Sequence, residues 1–163
     1  MRIYGIVGWK NSGKTTLVER LVAEITARGL SVSTVKHAHH AFDMDRPGKD
    51  SHRHRIAGAR EVLVASRRRI AILDELRDRP EPGLPALLAR LEPVDLILIE
   101  GYKTAPHPKL EVHREATGQP LIAAGDRSVR AVASDRPLVL DRPCYDLDDV
   151  VAIADFILAE VGL

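Results

Sequence analysis

The chain has 163 residues, of which 45% are hydrophobic and 29% are charged, and its net charge is +1. This length and composition suit one domain with its own core, so a single nucleotide-binding domain over residues 1–163 is expected. The near-neutral charge and an aromatic content of 4% argue against a nucleic-acid surface, and no apolar run is long enough to span a bilayer. Cys144 is the only cysteine, which excludes an intrachain disulfide and favours a reducing cytoplasm.

The strongest motif lies near the N-terminus, where residues 8–15 read GWKNSGKT. It matches G-x-x-x-x-G-K-[ST], a loop whose backbone N–H groups surround the phosphates of a nucleotide. The apolar run from Ile3 to Val7 predicts a buried strand before it, and residues 16–22 predict an amphipathic helix after it. A Gly-rich turn without a ligand is the alternative. The complete motif between a strand and a helix favours phosphate binding, assisted by the helix dipole.

The motif suggests a role for each of its residues. Lys14 is expected to reach the β- and γ-phosphates and to act in catalysis, and Thr15 is expected to place its hydroxyl on a Mg²⁺ ion. The residues of the loop expected to bind the nucleotide are Gly8, Lys10, Asn11, Ser12, Gly13, Lys14, Thr15 and Thr16.

The next elements predict the start of an α/β fold. A helix is predicted over about 14–28 with Gly29 as its terminator, and a strand over 31–36, which implies a parallel pair with a right-handed crossover. Residues 36–54 then hold five of the seven histidines and three aspartates. Three interpretations stay open: a solvated polar loop, a switch region that senses the γ-phosphate and its metal, and a transition-metal site.

A hairpin and two helices are predicted in the middle of the chain. Ser51 is predicted to be the N-cap of a short helix that ends near Gly58. Strands are predicted over 61–66 and 70–73, with three arginines at their turn that indicate a solvated hairpin tip. A further helix is predicted over 84–91, where prolines at positions 80, 82 and 85 break the chain at its start.

Residues 94–101 read VDLILIEG, a buried strand that ends in an acid. Strands of such sheets end beside the nucleotide. Glu100 is therefore expected to serve in catalysis and metal binding, by holding the magnesium shell or by orienting the attacking water. A strand-end acid without a role is the alternative. Asp45 or Asp50 in the histidine-rich segment is expected to supply a further carboxylate, and Asp45 is the predicted metal ligand.

Further strands are predicted over 109–113, 120–124 and 129–133. Asp126 and Asp135 each follow one of the last two strands, where an aspartate could accept hydrogen bonds from N1 and N2 of guanine. Asp135 is the residue predicted to bind the nucleotide base, although the Asn-Lys-x-Asp signature of many GTPases is absent.

Asp146 is predicted to cap a last helix over 147–161. The whole succession predicts an α/β protein with the P-loop NTPase fold. Its sheet is expected to be mostly parallel and flanked by helices, with an added antiparallel β-hairpin.

With these residues in view, the sequence resembles the MobB family of molybdopterin-guanine dinucleotide biosynthesis adapter proteins. The resemblance runs nearly end to end. Besides the phosphate loop, it is carried by segments in a specific order: KHAHH at 36–40, DMDRPGKDS at 43–51, RHRIAGA at 53–59, LIEGYK at 98–103 and KLEVHR at 109–114.

The resemblance implies a GTP-binding protein with weak, Mg²⁺-dependent GTPase activity. It implies a homodimer, and an accessory role beside the guanylyltransferase that joins GMP to molybdopterin. Many related GTPases carry a signature lysine directly after the first glycine of the loop. Here Trp9 holds that position and Lys10 follows it.

Two rival functions share the phosphate loop. One is a metallochaperone GTPase that delivers nickel or zinc through the histidine-rich segment, with His37, His39, His40 and Asp43 as ligands. The other is a small-molecule kinase, for which Arg53 and Arg55 could serve as lid arginines.

Overall fold

The computed structural model describes residues 1–38 and 42–163. These residues form two compact units, one from residues 1–38 and 92–163 and the other from the segment 39–91 between them. The single domain predicted over 1–163 stays a prediction. No helix in the described ranges is long and apolar enough to cross a membrane.

The described residues form eight strands and four α-helices, together with two short 3-10 helices. In chain order the strands are β1 (Arg2–Val7), β2 (Val32–Lys36), β3 (Glu61–Ala65), β4 (Ile70–Asp74), β5 (Leu96–Glu100), β6 (Lys109–His113), β7 (Val129–Ser134) and β8 (Cys144–Asp146). The helices are α1 (Lys14–Ala27), α2 (Asp50–Ile56), α3 (Leu84–Leu88) and α4 (Val150–Val161), and the 3-10 turns are Glu115–Thr117 and Ile122–Ala124.

The first unit is built on a six-stranded sheet in the order β2-β5-β1-β6-β7-β8. Every neighbouring pair in this sheet is parallel. The predicted mostly parallel sheet is therefore confirmed, and so is the antiparallel hairpin, which β3 and β4 form in the second unit. Because all six strands run in one direction, their carboxyl ends lie at one edge. That edge is where ligands bind in open α/β sheets, at the point where the strand order reverses.

The helices α1 and α4 cover one face of this sheet. α1 buries Leu17, Leu21 and Ile25, and α4 buries Ile153 and Ile157, all 2% exposed or less and packed in one cluster. Full burial of each such side chain stabilises the fold by about 1.5–3 kcal/mol. This packing holds α1 against the sheet, and so holds the phosphate loop that precedes α1 at the carboxyl end of β1. A smaller cluster around Val7 and Val132 lies apart from the helix cluster.

The second unit carries a hairpin with an apolar exposed face. The pairing of Leu63 with Ile72 places these two side chains on the same face, with Ile70 two residues away on β4. The three side chains are 60–69% exposed. Val62, on the opposite face, is 8% exposed. Burial on that opposite face is limited to part of it, because Val64 is 45% exposed.

The strand predicted over 120–124 is wrong, because Ile122–Ala124 form a 3-10 turn. The cause lies on β6, where the Glu111 carboxylate accepts hydrogen bonds from the N–H groups of Ile122 at 2.9 Å and Ala123 at 2.8 Å. Glu111 is fully buried, so these bonds satisfy a carboxylate that would otherwise be costly to bury. Asp126 consequently does not follow a strand.

The helix caps also differ from the prediction. Asp149 rather than Asp146 is the N-cap of α4, and its carboxylate accepts from the N–H of Ala152 at 3.1 Å. Asp146 is the last residue of β8 and accepts from the N–H of Asp148.

The two helices of the second unit also differ from the prediction: α2 has a different N-cap, and α3 ends earlier. Lys49 occupies the N-cap position of α2, so Ser51 lies inside its first turn. The Ser51 hydroxyl donates to Asp45 instead. α3 ends at Leu88, three residues before the predicted end.

Candidate functional site

The loop between β1 and α1 has a backbone that its glycines make possible. Gly13 has a φ of 96° and Gly8 a φ of 151°, both in the region that favours glycine. A Cβ on Gly8 would contact the Val112 carbonyl oxygen and lie 2.6 Å from Ser12 Oγ. The Ser12 side chain is itself 1% exposed. The fold therefore leaves no space for a side chain at the first glycine of the motif.

The lysine of the motif is turned towards the loop. Lys14 Nζ donates a hydrogen bond to the Trp9 carbonyl oxygen at 2.7 Å. Burial lowers the pKa of the Lys14 ammonium; nearby Glu100 opposes this effect, and Lys103 adds to it. The ammonium thus lies in a partly desolvated position among other charges. There its attraction to a phosphate is stronger than in water.

Two of the three predicted metal ligands, Thr15 in the first turn of α1 and Glu100 at the carboxyl end of β5, contact each other. Thr15 Oγ1 donates to Glu100 Oε1 at 2.8 Å. Glu100 ends β5 and is 9% exposed. A hydroxyl and a carboxylate side by side are oxygen ligands of the kind that Mg²⁺ prefers. These two residues therefore fit the ion that a nucleotide would bring.

A third residue completes this cluster. Lys36, the last residue of β2, lies with its Nζ 3.1 Å from Thr15 Oγ1 and 3.1 Å from Glu100 Oε1. The parallel register pairs Lys36 with Glu100 directly. Sequence reasoning missed Lys36. The available signal was its position at the end of a strand that neighbours β5.

Trp9 holds the position after the first glycine and is fixed by two contacts. Its Nε1 donates to the Pro120 carbonyl oxygen at 2.7 Å, and Lys103 Nζ lies 4.0 Å from the ring centroid in a cation–π contact. The indole therefore cannot act as a lysine would. Lys10, the next residue, is exposed, as is Thr16, the residue after Thr15.

A cavity of about 500 Å³ opens beside this part of the loop. Its lining contains two cations and no carboxylate; the residues are Trp9, Lys10, Asn11, Arg114, Ala116, Thr117 and Gln119. Arg114 Nε donates to the Ser12 carbonyl oxygen at 3.2 Å. The site role of Arg114 was missed as well, although it directly follows β6, the strand beside β1.

The two candidate base-reading aspartates lie at opposite ends of β7. Asp135 directly follows β7, at the edge where the loop lies, and Asp126 precedes β7. Asp135 accepts from the Glu115 N–H at 3.1 Å with one carboxylate oxygen and lines a cavity of about 280 Å³. Asp126 accepts from Ser128 N at 2.8 Å. A six-residue strand is roughly 20 Å long, so only Asp135 lies at the edge that carries the loop.

Lys109 also engages Asp126, with 3.4 Å between its Nζ and the carboxylate. Burial would raise the pKa of Asp126, but the hydrogen bonds from Ser128 and the charge of Lys109 outweigh it and lower the pKa. The Asp126 carboxylate is thus an internal anchor for a lysine that is itself fully buried.

Asp45, the other predicted metal ligand, belongs to a carboxylate network of the second unit. Arg55 contacts Asp43 at 2.9 Å, Asp45 at 3.3 Å and Glu75 at 2.5 Å. Burial would raise the pKa of Asp45, but hydrogen bonds hold this pKa below its usual value, and the bond from Ser51 has the largest lowering effect. Arg55 is therefore engaged by carboxylates, and a metal role for Asp45 stays a prediction.

The histidine-rich segment contains no metal cluster among the residues that the structure describes. No group of three or more His, Cys, Asp or Glu side chains there could hold an ion. His39 and His40, two of the ligands predicted for the metallochaperone, lie outside the described residues. His37 stacks on Tyr102 with ring centroids 4.5 Å apart.

Comparison with known proteins identifies the family. The family model of molybdopterin guanine dinucleotide synthesis protein B, MobB, matches residues 3–135. The chain is 41% identical over 159 residues to the molybdopterin-guanine dinucleotide biosynthesis adapter protein of Escherichia coli K12, covering 96% of this chain and 91% of that protein. This chain belongs to the MobB family.

Other MobB proteins agree in sequence and fold. The adapter protein of Haemophilus influenzae is 42% identical over 158 residues, covering 95% of this chain and 86% of that protein. The crystal structure of Bacillus subtilis MobB superposes with a TM-score of 0.77 at 27% identity, over 99% of this chain and 98% of that one. These relatives give the metallochaperone alternative no support. They confirm the family that the sequence resembles.

Proposed function

We propose that this protein binds GTP together with Mg²⁺ and acts as an accessory protein in molybdenum cofactor biosynthesis. In this role it would assist the guanylyltransferase that converts molybdopterin to molybdopterin guanine dinucleotide. The names of its relatives in the MobB family support the pathway. The observation that supports the nucleotide is the phosphate loop, with Lys14 turned inward and Thr15 against Glu100.

Different groups of the loop would bind different parts of the nucleotide and its ion. Backbone N–H groups from Gly8 to Thr16 surround the phosphates, helped by the dipole of α1. Lys14 leaves the Trp9 carbonyl oxygen and pairs with the β- and γ-phosphates. Thr15 and Glu100 would hold the Mg²⁺ ion, which neutralises the phosphate oxygens when it is bound.

The position of Asp135 supports a preference for binding guanine rather than adenine. Its carboxylate stands at the carboxyl end of β7 beside a cavity that also contains Leu138 and Tyr145. The hydrogen bond from Glu115 N–H holds one carboxylate oxygen. The other oxygen can accept from N1–H or the amino group of guanine, whereas adenine offers no N1–H donor.

Hydrolysis is expected to be slow. β5 ends in Glu100-Gly101-Tyr102, so no glutamine stands at this strand end to orient the attacking water. In GTPases that lack an arginine finger, hydrolysis is about 10³–10⁵-fold slower. Within the described part of the second unit, Arg55 is bound by three carboxylates. The protein is therefore proposed as a switch that depends on a partner protein.

A homodimer is part of the proposal. A two-stranded hairpin is only marginally stable in water unless another surface covers it. The exposed face of β3–β4 with Leu63, Ile70 and Ile72 supports a second copy of this chain as its cover. The lone cysteine, Cys144, is consistent with the cytoplasmic location proposed for the protein.

Two measurements test the proposed function. Isothermal titration calorimetry with GTP and ATP should show Mg²⁺-dependent binding that favours GTP. Immobilised protein should then capture purified molybdopterin guanylyltransferase, and GTP should change that affinity. Absence of nucleotide binding would refute the GTP proposal. Absence of capture with and without GTP would refute the adapter role.

A further inference from the structure

A lysine lies where Thr15 and Glu100, two of the ligands predicted for magnesium, contact each other. Lys36 Nζ is 3.1 Å from Thr15 Oγ1 and 3.1 Å from Glu100 Oε1, while these two oxygens are 2.8 Å apart. The ammonium thus contacts both groups of the pair. A lysine ammonium is a compact point charge, so it can interact with both oxygens at once.

We infer that Lys36 is a built-in cation for this site, holding Glu100 and Thr15 in the protein without nucleotide and leaving them when Mg²⁺ and GTP bind. This inference rests on the proposed function, because it concerns the ion that accompanies the nucleotide. It goes further in assigning to Lys36 the control of how strongly nucleotide binding depends on Mg²⁺.

Burial explains why Glu100 is stabilised by a cation beside it. The Glu100 side chain is 11% exposed, and an unpaired carboxylate in such a place is costly. The same carboxylate would repel the phosphates of a nucleotide bound without a metal ion. The Lys36 ammonium compensates the Glu100 charge and reduces both effects.

Exposure explains how Lys36 can leave. Its side chain is 58% exposed, so the flexible stem can swing the ammonium into water at little cost. It is also the last residue of β2, and its pairing with Glu100 lies at the end of the strand. The movement therefore requires no change in the sheet.

The residue after Lys36 is anchored to the end of β5. His37 N–H donates to the Glu100 carbonyl oxygen at 3.0 Å, and the His37 ring stacks on Tyr102. The strands β2 and β5 are thus joined at their carboxyl ends by both residues. Release of the Lys36 ammonium leaves both the backbone pairing of β2 with β5 and the His37 contacts in place at this end.

The test compares Lys36→Met, which keeps the length of the side chain and removes its charge, with Arg127→Met. Arg127 is exposed and precedes β7, so it lies at the opposite edge of the sheet. Arg127→Met removes one positive charge, as Lys36→Met does, and is therefore the matched control. Affinity for GTP is measured by calorimetry under two conditions. One contains about 5 mM MgCl₂ to saturate the site with the ion, and the other contains excess EDTA to remove free Mg²⁺.

The ratio of the dissociation constant in EDTA to that in Mg²⁺ decides the question. It should rise about tenfold or more in Lys36→Met, the scale of a lost contact between close charges, and stay unchanged in Arg127→Met. An unchanged ratio with equally weaker binding in both conditions would make Lys36 an ordinary phosphate ligand and overturn the inference.

A second readout does not need a nucleotide. The thermal midpoint of Lys36→Met should be lower than that of wild type in EDTA and should recover when millimolar Mg²⁺ is added. Wild type and Arg127→Met should not respond to the ion. If wild type binds no GTP, the proposed function fails, while this measurement still decides the role of Lys36. No response of Lys36→Met to Mg²⁺ would overturn that role.

Discussion

Lys14 Nζ donates a hydrogen bond to the carbonyl oxygen of Trp9, 2.7 Å away and five residues earlier in the chain. This bond gives the ammonium one acceptor inside the loop without a nucleotide. Binding exchanges a neutral acceptor for a charged one, which is the stronger contact.

Lys14→Ala should therefore remove most of the affinity for GTP. A charge-assisted contact in a partly desolvated site contributes roughly 2–4 kcal/mol, which corresponds to about 30- to 1000-fold in the dissociation constant. Calorimetry with wild type and variant measures it, and circular dichroism checks the fold. Near wild-type affinity in a folded Lys14→Ala protein would contradict the phosphate-loop assignment.

Substitution of the two candidate base-reading aspartates should have different results. Asp135→Ala should lower the ratio of GTP to ATP affinity, because Asp135 stands at the carboxyl end of β7 beside a cavity. Asp126→Ala should leave the ratio unchanged and lower stability, because it removes the carboxylate that pairs with buried Lys109. Competition binding and chemical denaturation measure the two effects. An unchanged ratio in Asp135→Ala would assign base recognition to other groups.

The sequence was sufficient to predict the elements around the phosphate loop because their signals are local. An unbroken apolar run, a complete motif and a helix with a single apolar face predict β1, the loop and α1 over nearly their observed bounds. The acid at the end of β5 was also predicted, since the strand ends at Glu100.

The remaining features depend on contacts between distant residues. The N–H groups of residues 122 and 123 bind Glu111, eleven and twelve residues earlier. This contact converts an apolar run with strand propensity into a 3-10 turn. Likewise, Arg114 and Lys36 lie at the site only because β6 and β2 take particular places in the sheet order. Such an order cannot be derived from the local pattern of one strand.

The exposed face of the hairpin provides a test of the dimer. Ile72→Glu should convert the protein to a monomer, because it places a charge among Leu63 and Ile70 on the face proposed as the interface. Ala71→Glu places the same charge on the opposite face and is the matched control. Sedimentation velocity of both variants and wild type measures the assembly. A dimer that survives Ile72→Glu would exclude this face.

Slow hydrolysis should be visible in single-turnover experiments with the purified protein. Thr15→Ala removes the hydroxyl that lies 2.8 Å from Glu100 Oε1, so it should lower both Mg²⁺ dependence and rate. Excess chelator should have a similar effect on wild type. The reaction is followed alone and with guanylyltransferase added. Partner-independent turnover of several per second, a typical rate for assisted GTPases, would contradict the switch proposal.

A buried histidine predicts how stability changes with pH. His107 is 8% exposed, and neither ring nitrogen has a hydrogen-bond partner among the described residues. Its ring lies over Gly5, where a Cβ would be 2.5 Å from Nε2. Burial lowers the pKa of His107 from 6.5, Lys109 adds to this effect, and Asp126 opposes it. The native protein therefore keeps the imidazole neutral at a pH where the unfolded chain protonates it.

Because the unfolded state binds the additional proton, the free energy of unfolding should decrease as the pH falls below about 7, through 6.5 and towards the lowered pKa of the native state. One such group contributes a slope of at most about 1.4 kcal/mol per pH unit. Urea denaturation between pH 8 and pH 5 measures it. His107→Gln should flatten the curve in this range, whereas His54→Gln, at an exposed histidine, should leave its slope unchanged. An equal slope in wild type and His107→Gln would show that other groups bind the proton.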